Sequence, residues 1–201
     1  LLCNTNQLTS LDVSNNTALS WLLCHANQLT SLDVSQNTAL NYFSCHTNQL
    51  TSLDVSNNTA LISLACNSNQ LTSLDVSNNS ALTSLSCNTN QLTSLDVSNN
   101  TALNTLECQT NSLTSLDVRN GNNTNFANLS FVATGNSNLN CISVDDATWA
   151  NANWTNIDSH TSFSDDCNAV PKTYVPDDNF EAYLETHDAS GNIVTLGDPN
   201  S

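Results

Sequence analysis

Short bursts of alternating apolar and polar residues recur along this chain at a fixed step. Leu22 and Cys24 are interleaved with Trp21, Leu23 and His25, and further on Leu32 and Val34 are interleaved with Ser31, Asp33 and Ser35. Successive side chains of an extended segment point to opposite faces. Each burst therefore predicts a short half-buried strand, with Leu22, Cys24, Leu32 and Val34 inward. The pair of bursts returns every 21 residues. Cysteines stand at Cys3, Cys24, Cys45, Cys66, Cys87 and Cys108. Asparagines hold the same step at Asn6, Asn27, Asn48, Asn69, Asn90 and Asn111, and aspartates at Asp12, Asp33, Asp54, Asp75, Asp96 and Asp117. One such turn cannot enclose its own apolar face, whereas stacked turns bury it for one another. Parallel strands lie about 4.8 Å apart, so six turns span roughly 29 Å.

The segment L-x-x-L-x-C-x-x-N resembles the core of a leucine-rich repeat, and L-x-x-L-D-V-S-x-N matches the same template inside the same 21 residues. That nesting resembles the bacterial IRREKO class of leucine-rich repeats, closely so over residues 1–121. The resemblance implies a right-handed leucine-rich-repeat solenoid, mainly parallel β with little helix. About six regular turns and a divergent C-terminal cap are expected. It also implies an interaction surface on a bacterial exterior. Within it, Asn27, Asn48, Asn69, Asn90 and Asn111 are a structural ladder whose side chains bond backbone groups at the bend after the strand. A bend needs its buried backbone groups paired.

After Arg119-Asn120-Gly121 the repeat loosens. Leu129-x-Phe131 follows Leu106-x-Cys108 by 23 residues, which predicts a seventh turn two residues longer than the rest. Leu139-x-Cys141 then places Cys141 at the inward valine position. Trp149, Trp154, Ile157 and Phe163 next replace the ladder with bulky groups, as the exposed end of a solenoid requires. The run C-I-S-V-D-D…F-S-D-D-C is similar to the cap that follows such arrays in flavobacterial and related Bacteroidetes surface proteins. Residues 122–170 thus read as a divergent last turn and a cap. Cys141 and Cys167 break the 21-residue period and flank that cap, so they are expected to close it as a disulfide. Residues 171–201 read as a linker and the opening of a further repeat domain, with Tyr174 to Glu181 similar to such an opening and a short helix over 179–187. The chain begins inside a repeat with no signal peptide, and reads as an excerpt from a longer one.

Only Arg119 and Lys172 oppose 18 acidic residues, for a formal charge of −16. Phosphate backbones and anionic lipids call for clustered bases, so nucleic acid is excluded as a partner. Membrane insertion is excluded too, since no run reaches the ~18–20 apolar residues of a span. Polarity comes mostly from Asn, Ser and Thr, which suits a secreted or cell-surface protein.

The cysteine column carries no C-x-x-C and no paired Cys/His loop, and reads as small buried hydrophobes rather than metal ligands. Neighbouring carboxylates of the Asp column repel by about 1 kcal/mol in water. Nearby donors can absorb that charge, or calcium can bridge Asp12, Asp33, Asp54, Asp75, Asp96 and Asp117. The pairs Asp145-Asp146, Asp165-Asp166 and Asp177-Asp178 are further calcium candidates. Calcium is the one cofactor left open. His25, His46, His160 and His187 join no nucleophile, zinc or phosphate-loop motif, so no enzyme is expected.

One departure from the consensus stands out. Outward strand positions in later turns are Ser63, Ala65, Asn67 and Ser84, Ser86, Asn88, whereas turns two and three carry Trp21, Leu23, His25 and Tyr42, Ser44, His46. An exposed aromatic row beside an imidazole row suits recognition. Trp21, Leu23, His25, Tyr42 and His46 are the candidate ligand-binding residues, for a protein or a glycan. The expected function is an extracellular adhesion or binding module. The alternative is a spacer in an extracellular filament, with copies of the chain as partners. Ice binding, suggested by the Thr47, Ser68, Thr89 and Thr110 row, ranks last.

Overall fold

The computed structural model describes residues 1–127 and 129–168. The linker and further-domain reading of 171–201, with the helix over 179–187, Lys172, His187 and the Asp177-Asp178 pair, lies outside the described residues. Leu1–Cys167 pack as one unit.

Each 21-residue turn lays one three-residue strand beside its predecessor. β1 (Trp21–Leu23), β2 (Tyr42–Ser44), β3 (Ser63–Ala65), β4 (Ser84–Ser86), β6 (Thr105–Glu107) and β8 (Phe131–Val132) form a six-stranded parallel sheet in that order. The register is the repeat itself, with Leu22 beside Phe43, Leu64, Leu85 and Leu106 in turn. A second parallel sheet runs β5 (Ser94–Asp96), β7 (Ser115–Asp117), β9 (Cys141–Ser143), β10 (Ser162–Ser164). Between the two, each regular turn sends in leucines, a cysteine and a valine; Leu64, Cys66, Leu71, Val76 and Leu82 are at most 1% exposed. The architecture is a parallel β-solenoid with little helix.

The second burst alternates as its pattern predicts, with Val13, Val34, Val55 and Val76 buried. It becomes a paired strand only from β5 onward. In the earlier turns a side chain bridges the turns instead. Asn58 Nδ2 donates to Val34 O at 3.0 Å and Asn37 O at 2.9 Å, and Asn37, Asn79 and Asn100 repeat the arrangement. These asparagines are fully buried.

The expected Asn ladder closes the bend after the first strand. Asn48 Oδ1 accepts from Leu29 N at 3.0 Å, and its Nδ2 donates to Cys24 O and Cys45 O. The same pattern recurs at Asn27, Asn69, Asn90 and Asn111. Just before each stands a residue with φ of 54–56°: Thr5, Ala26, Thr47, Ser68, Thr89 and Thr110. A left-handed conformation costs a non-glycine residue about 1–2 kcal/mol, which the paired side chain that follows helps offset. Glycine takes the position only at Gly135.

The seventh turn corrects the register read from sequence. Phe131, not Leu129, pairs with Leu106, and Cys108 N donates to Val132 O, which brings Ala133 into the cysteine column. Leu129 is 76% exposed. The turn is therefore longer than expected by two further residues. The cause is aromatic packing: Phe131 stacks on Trp154 at 4.0 Å and 12°, inside a cluster with Phe126 and Phe163. Cys141 does not occupy the inward valine position either. Ile142 pairs with Leu116, Val144 is buried in the valine's place, and Cys141 faces outward. From there it bonds Cys167 across 26 residues, with Cα atoms 5.8 Å apart. The helix α1 (Ala147–Asn153), begun by Asp146 accepting from Trp149 N, lies in the cap.

Candidate functional site

The strand face of the first sheet changes character along its length. Trp21, Leu23 and His25 project from one strand and Tyr42, Ser44 and His46 from the next, because the two pair in register. The rings meet: Trp21 and Tyr42 lie 4.3 Å apart at 41°, and His25 stacks on His46 at 4.4 Å and 13°. All five expected ligand-binding residues thus share one surface, with Trp21 51% exposed. Leu2, 72% exposed and bridged to Leu23, extends the apolar strip by one turn. Its 21-residue offset from Leu23 placed it in the same column, and that signal was available in the sequence.

Hydroxyl groups hold the imidazoles. Ser44 Oγ lies 3.2 Å from His25 Nδ1, and Thr47 Oγ1 lies 2.9 Å from His46 Nδ1. Partial burial, and then the neighbouring His25, lower the pKa of His46. Beyond turn three the outward positions become Ser63, Ala65, Asn67 and Ser84, Ser86, Asn88, and Glu107 on β6 is the carboxylate that follows them.

The Asp column lies along the second burst. The carboxylates of Asp12, Asp33, Asp54, Asp75 and Asp96 accept from the backbone N–H two residues on, at 2.8–2.9 Å. Hydrogen bonds from Ser56 hold Asp54 below the usual carboxylate pKa, and serines do the same for Asp12, Asp33 and Asp75. Local donors therefore outweigh repulsion along the row. Arg119 closes the row, paired with Asp117 and 3.8 Å from Asp166. Among the described residues, no three His, Cys, Asp or Glu side chains come together in a way that could hold a metal ion. The cap aspartates hold backbone instead: Asp145 accepts from Gly121 N and Asn123 N, Asp146 from Trp149 N, and Asp165 from Ala147 N.

Five ladder cysteines are buried, while Cys3 is half-buried. Burial pushes the thiols of Cys24, Cys66 and Cys108 up to about 12, which leaves them unreactive as nucleophiles. The Thr and Ser row of the ice-binding reading sits at the left-handed bend. It includes Ala26, and hydroxyls of Thr47 and Thr89 are engaged by His46 and Asn88. No helix among the described residues is long and apolar enough to cross a membrane.

No family model matches the chain, and no curated protein matches it. Solved structures do. The functional domain of InlJ from Listeria monocytogenes, which includes a cysteine ladder, is 35% identical with a TM-score of 0.52, over 72% of this chain and 38% of that one. An internalin of Listeria monocytogenes is 25% identical with a TM-score of 0.52, over 78% and 50% of the two chains. A leucine-rich-repeat protein of Leptospira interrogans, 21% identical with a TM-score of 0.57 over 82% and 42%, shares the fold. The chain spans half or less of each of these proteins. Its fold is that of bacterial leucine-rich-repeat proteins.

Proposed function

We propose that the chain is an extracellular adhesion module that holds its ligand on the strand face of turns two and three. The observation that carries this reading is the pair of ring contacts, Trp21 on Tyr42 and His25 on His46, on adjacent strands of an otherwise small-residue face. Exposed aromatic rings supply large contact area at little entropic cost. The internalin likeness supports a binding role for the array, and the Cys141–Cys167 disulfide supports an oxidising, extracellular setting. The nested 21-residue repeats resemble the IRREKO type and the cap resembles that of Bacteroidetes surface proteins, a likeness that would place the module on a bacterial exterior.

The test is a screen of protein and glycan ligands against the monomer, repeated with Trp21→Ala and Tyr42→Ala. Anchors at a patch centre cost roughly 2 kcal/mol or more on truncation. Equal binding by all three proteins would remove the patch from consideration. No ligand at all, together with end-to-end association of chains, would favour a filament spacer instead.

A further inference from the structure

We infer that the patch takes a neutral saccharide of one to three hexose units, stacked against Trp21 and Tyr42. This inference rests on the assignment of that face as the binding surface, and three features of the patch narrow its ligand.

Extent comes first. The row from Leu2 through Leu23 to Ser44 crosses three strand positions, about 10 Å, and residues 21 to 25 run about 13 Å along a strand. That is on the order of 100–200 Å², against about 800 Å² on each partner of a stable protein–protein interface. The next outward positions add no apolar anchor, since Ser63, Ala65, Ser84 and Ser86 are short and Asn67 and Asn88 are polar. A di- or trisaccharide has the footprint the patch provides.

Chemistry comes second. A pyranose presents C–H groups on its faces and hydroxyl groups around its rim. Trp21 and Tyr42, tilted by 41°, offer ring surface to the C–H faces. The rim hydroxyls need partners that both donate and accept. With Nδ1 of each ring engaged by Ser44 or Thr47, the Nε2 atoms of His25 and His46 can each donate or accept one further bond, and burial and the neighbouring His25 favour the neutral form of His46. Ser44, between the two rows, adds a hydroxyl.

Charge comes third. No Lys or Arg lies on the outward positions of this sheet, and Glu107 stands three strands from β2. A uronic acid or sulfated sugar would find no cation to pair with, and a chain of formal charge −16 would repel it. An amino sugar carrying a free ammonium would find no carboxylate. What remains is uncharged.

The experiment uses the whole chain and its tryptophan emission. Of its three tryptophans, Trp154 is buried in the cap at 2% exposure and Trp149 is partly buried, which leaves Trp21 as the exposed reporter. Cellotriose, maltotriose, mannotriose and N-acetylated chitotriose are titrated beside trigalacturonic acid, by fluorescence and by calorimetry. At least one neutral trisaccharide should bind and shift the emission, and trigalacturonic acid should bind at least tenfold more weakly. Trp21→Ala should abolish the shift and weaken binding at least tenfold, while Trp21→Phe keeps most of the affinity. If no neutral trisaccharide binds, or trigalacturonic acid binds as well as the best of them, the inference is overturned. A protein ligand lost on Trp21→Ala, with no saccharide effect, overturns the saccharide and leaves the binding face standing. Saccharide binding that survives both Trp21→Ala and Tyr42→Ala overturns both.

Discussion

Replacing Asn48 with Ala should destabilise the solenoid more than replacing the more deeply buried Asn58. Asn48 Oδ1 is the acceptor for Leu29 N at 3.0 Å, and Leu29 is fully buried. Truncation leaves that N–H without the acceptor, at about 1–3 kcal/mol. The three carbonyls that Asn48 serves are less affected, and one of them, His46 O, keeps Ala26 N at 3.0 Å. Cys24 O keeps Asn27 Nδ2 at 3.0 Å, and Cys45 O keeps Asn69 Nδ2 at 3.2 Å. Asn58 is different. Val34 O and Asn37 O each retain a backbone donor, Asn37 N at 2.9 Å and Leu40 N at 3.1 Å. Its own Oδ1 is buried without a partner. Asn58→Ala therefore orphans no backbone group and should cost about 1 kcal/mol, the worth of ordinary hydrogen bonds. Urea unfolding of the two variants beside the parent measures both values, with coincident fluorescence and circular-dichroism transitions as the check on two-state behaviour. At roughly 2–4 °C per kcal/mol for a chain of this size, a cost of about 1–3 kcal/mol means Asn48→Ala should lower the melting temperature by about 2–12 °C. A cost under about 0.5 kcal/mol for Asn48→Ala, or a larger one for Asn58→Ala, would refute the assignment of the first ladder's acceptor as the critical group.

Thiol titration should find Cys3 reacting first in the native protein, five more thiols on denaturation, and the last two only after reduction of Cys141–Cys167; five fast native thiols would contradict the buried column. For His46, whose folded pKa is lowered, stability is complete above the ordinary value of 6.5 and falls as the pH drops toward the folded value. His46→Asn, the residue of the next turn, should flatten melting temperature against pH across that window, and an unchanged slope would show the stacked pair is not responsible. Asp54 and Asp75 titrate lower. Carboxylates held below 3.8 contribute fully above that value and lose their contribution as the pH falls through the folded pKa. Asp54→Asn keeps the oxygen that accepts from Ser56 N but loses the charge, so its melting temperature at pH 7 should fall slightly below that of the parent and should be the same in calcium as in chelator. A calcium-dependent rise abolished by the variant would revive a bridging ion.

Much of this fold was legible because the 21-residue period sets register, and register fixes which side chains stack. Trp21 beside Tyr42 and His25 beside His46 follow from the column positions alone. What periodicity could not give was the outcome of competition where the period fails. Leu129 and Phe131 both fit the apolar pattern, and ring stacking on Trp154, distant in sequence, decided between them. Counting places Cys141 inward, whereas Ile142 is the better group to bury and an outward cysteine can reach Cys167. The second asparagine column sits in the consensus in plain view. Its role in joining turns whose second segments do not pair as strands depends on three-dimensional spacing that no one-turn pattern encodes.

Side-chain resonance mapping with the best ligand from the saccharide and protein screens tests the strand-face site most directly. The Trp21 indole, the Tyr42 ring and the His25 and His46 imidazoles should shift on titration, while the cap tryptophans Trp149 and Trp154 and the Asp column stay unmoved. Shifts centred on the Asp column or the cap, with Trp21 and Tyr42 unchanged, would contradict a binding face on turns two and three.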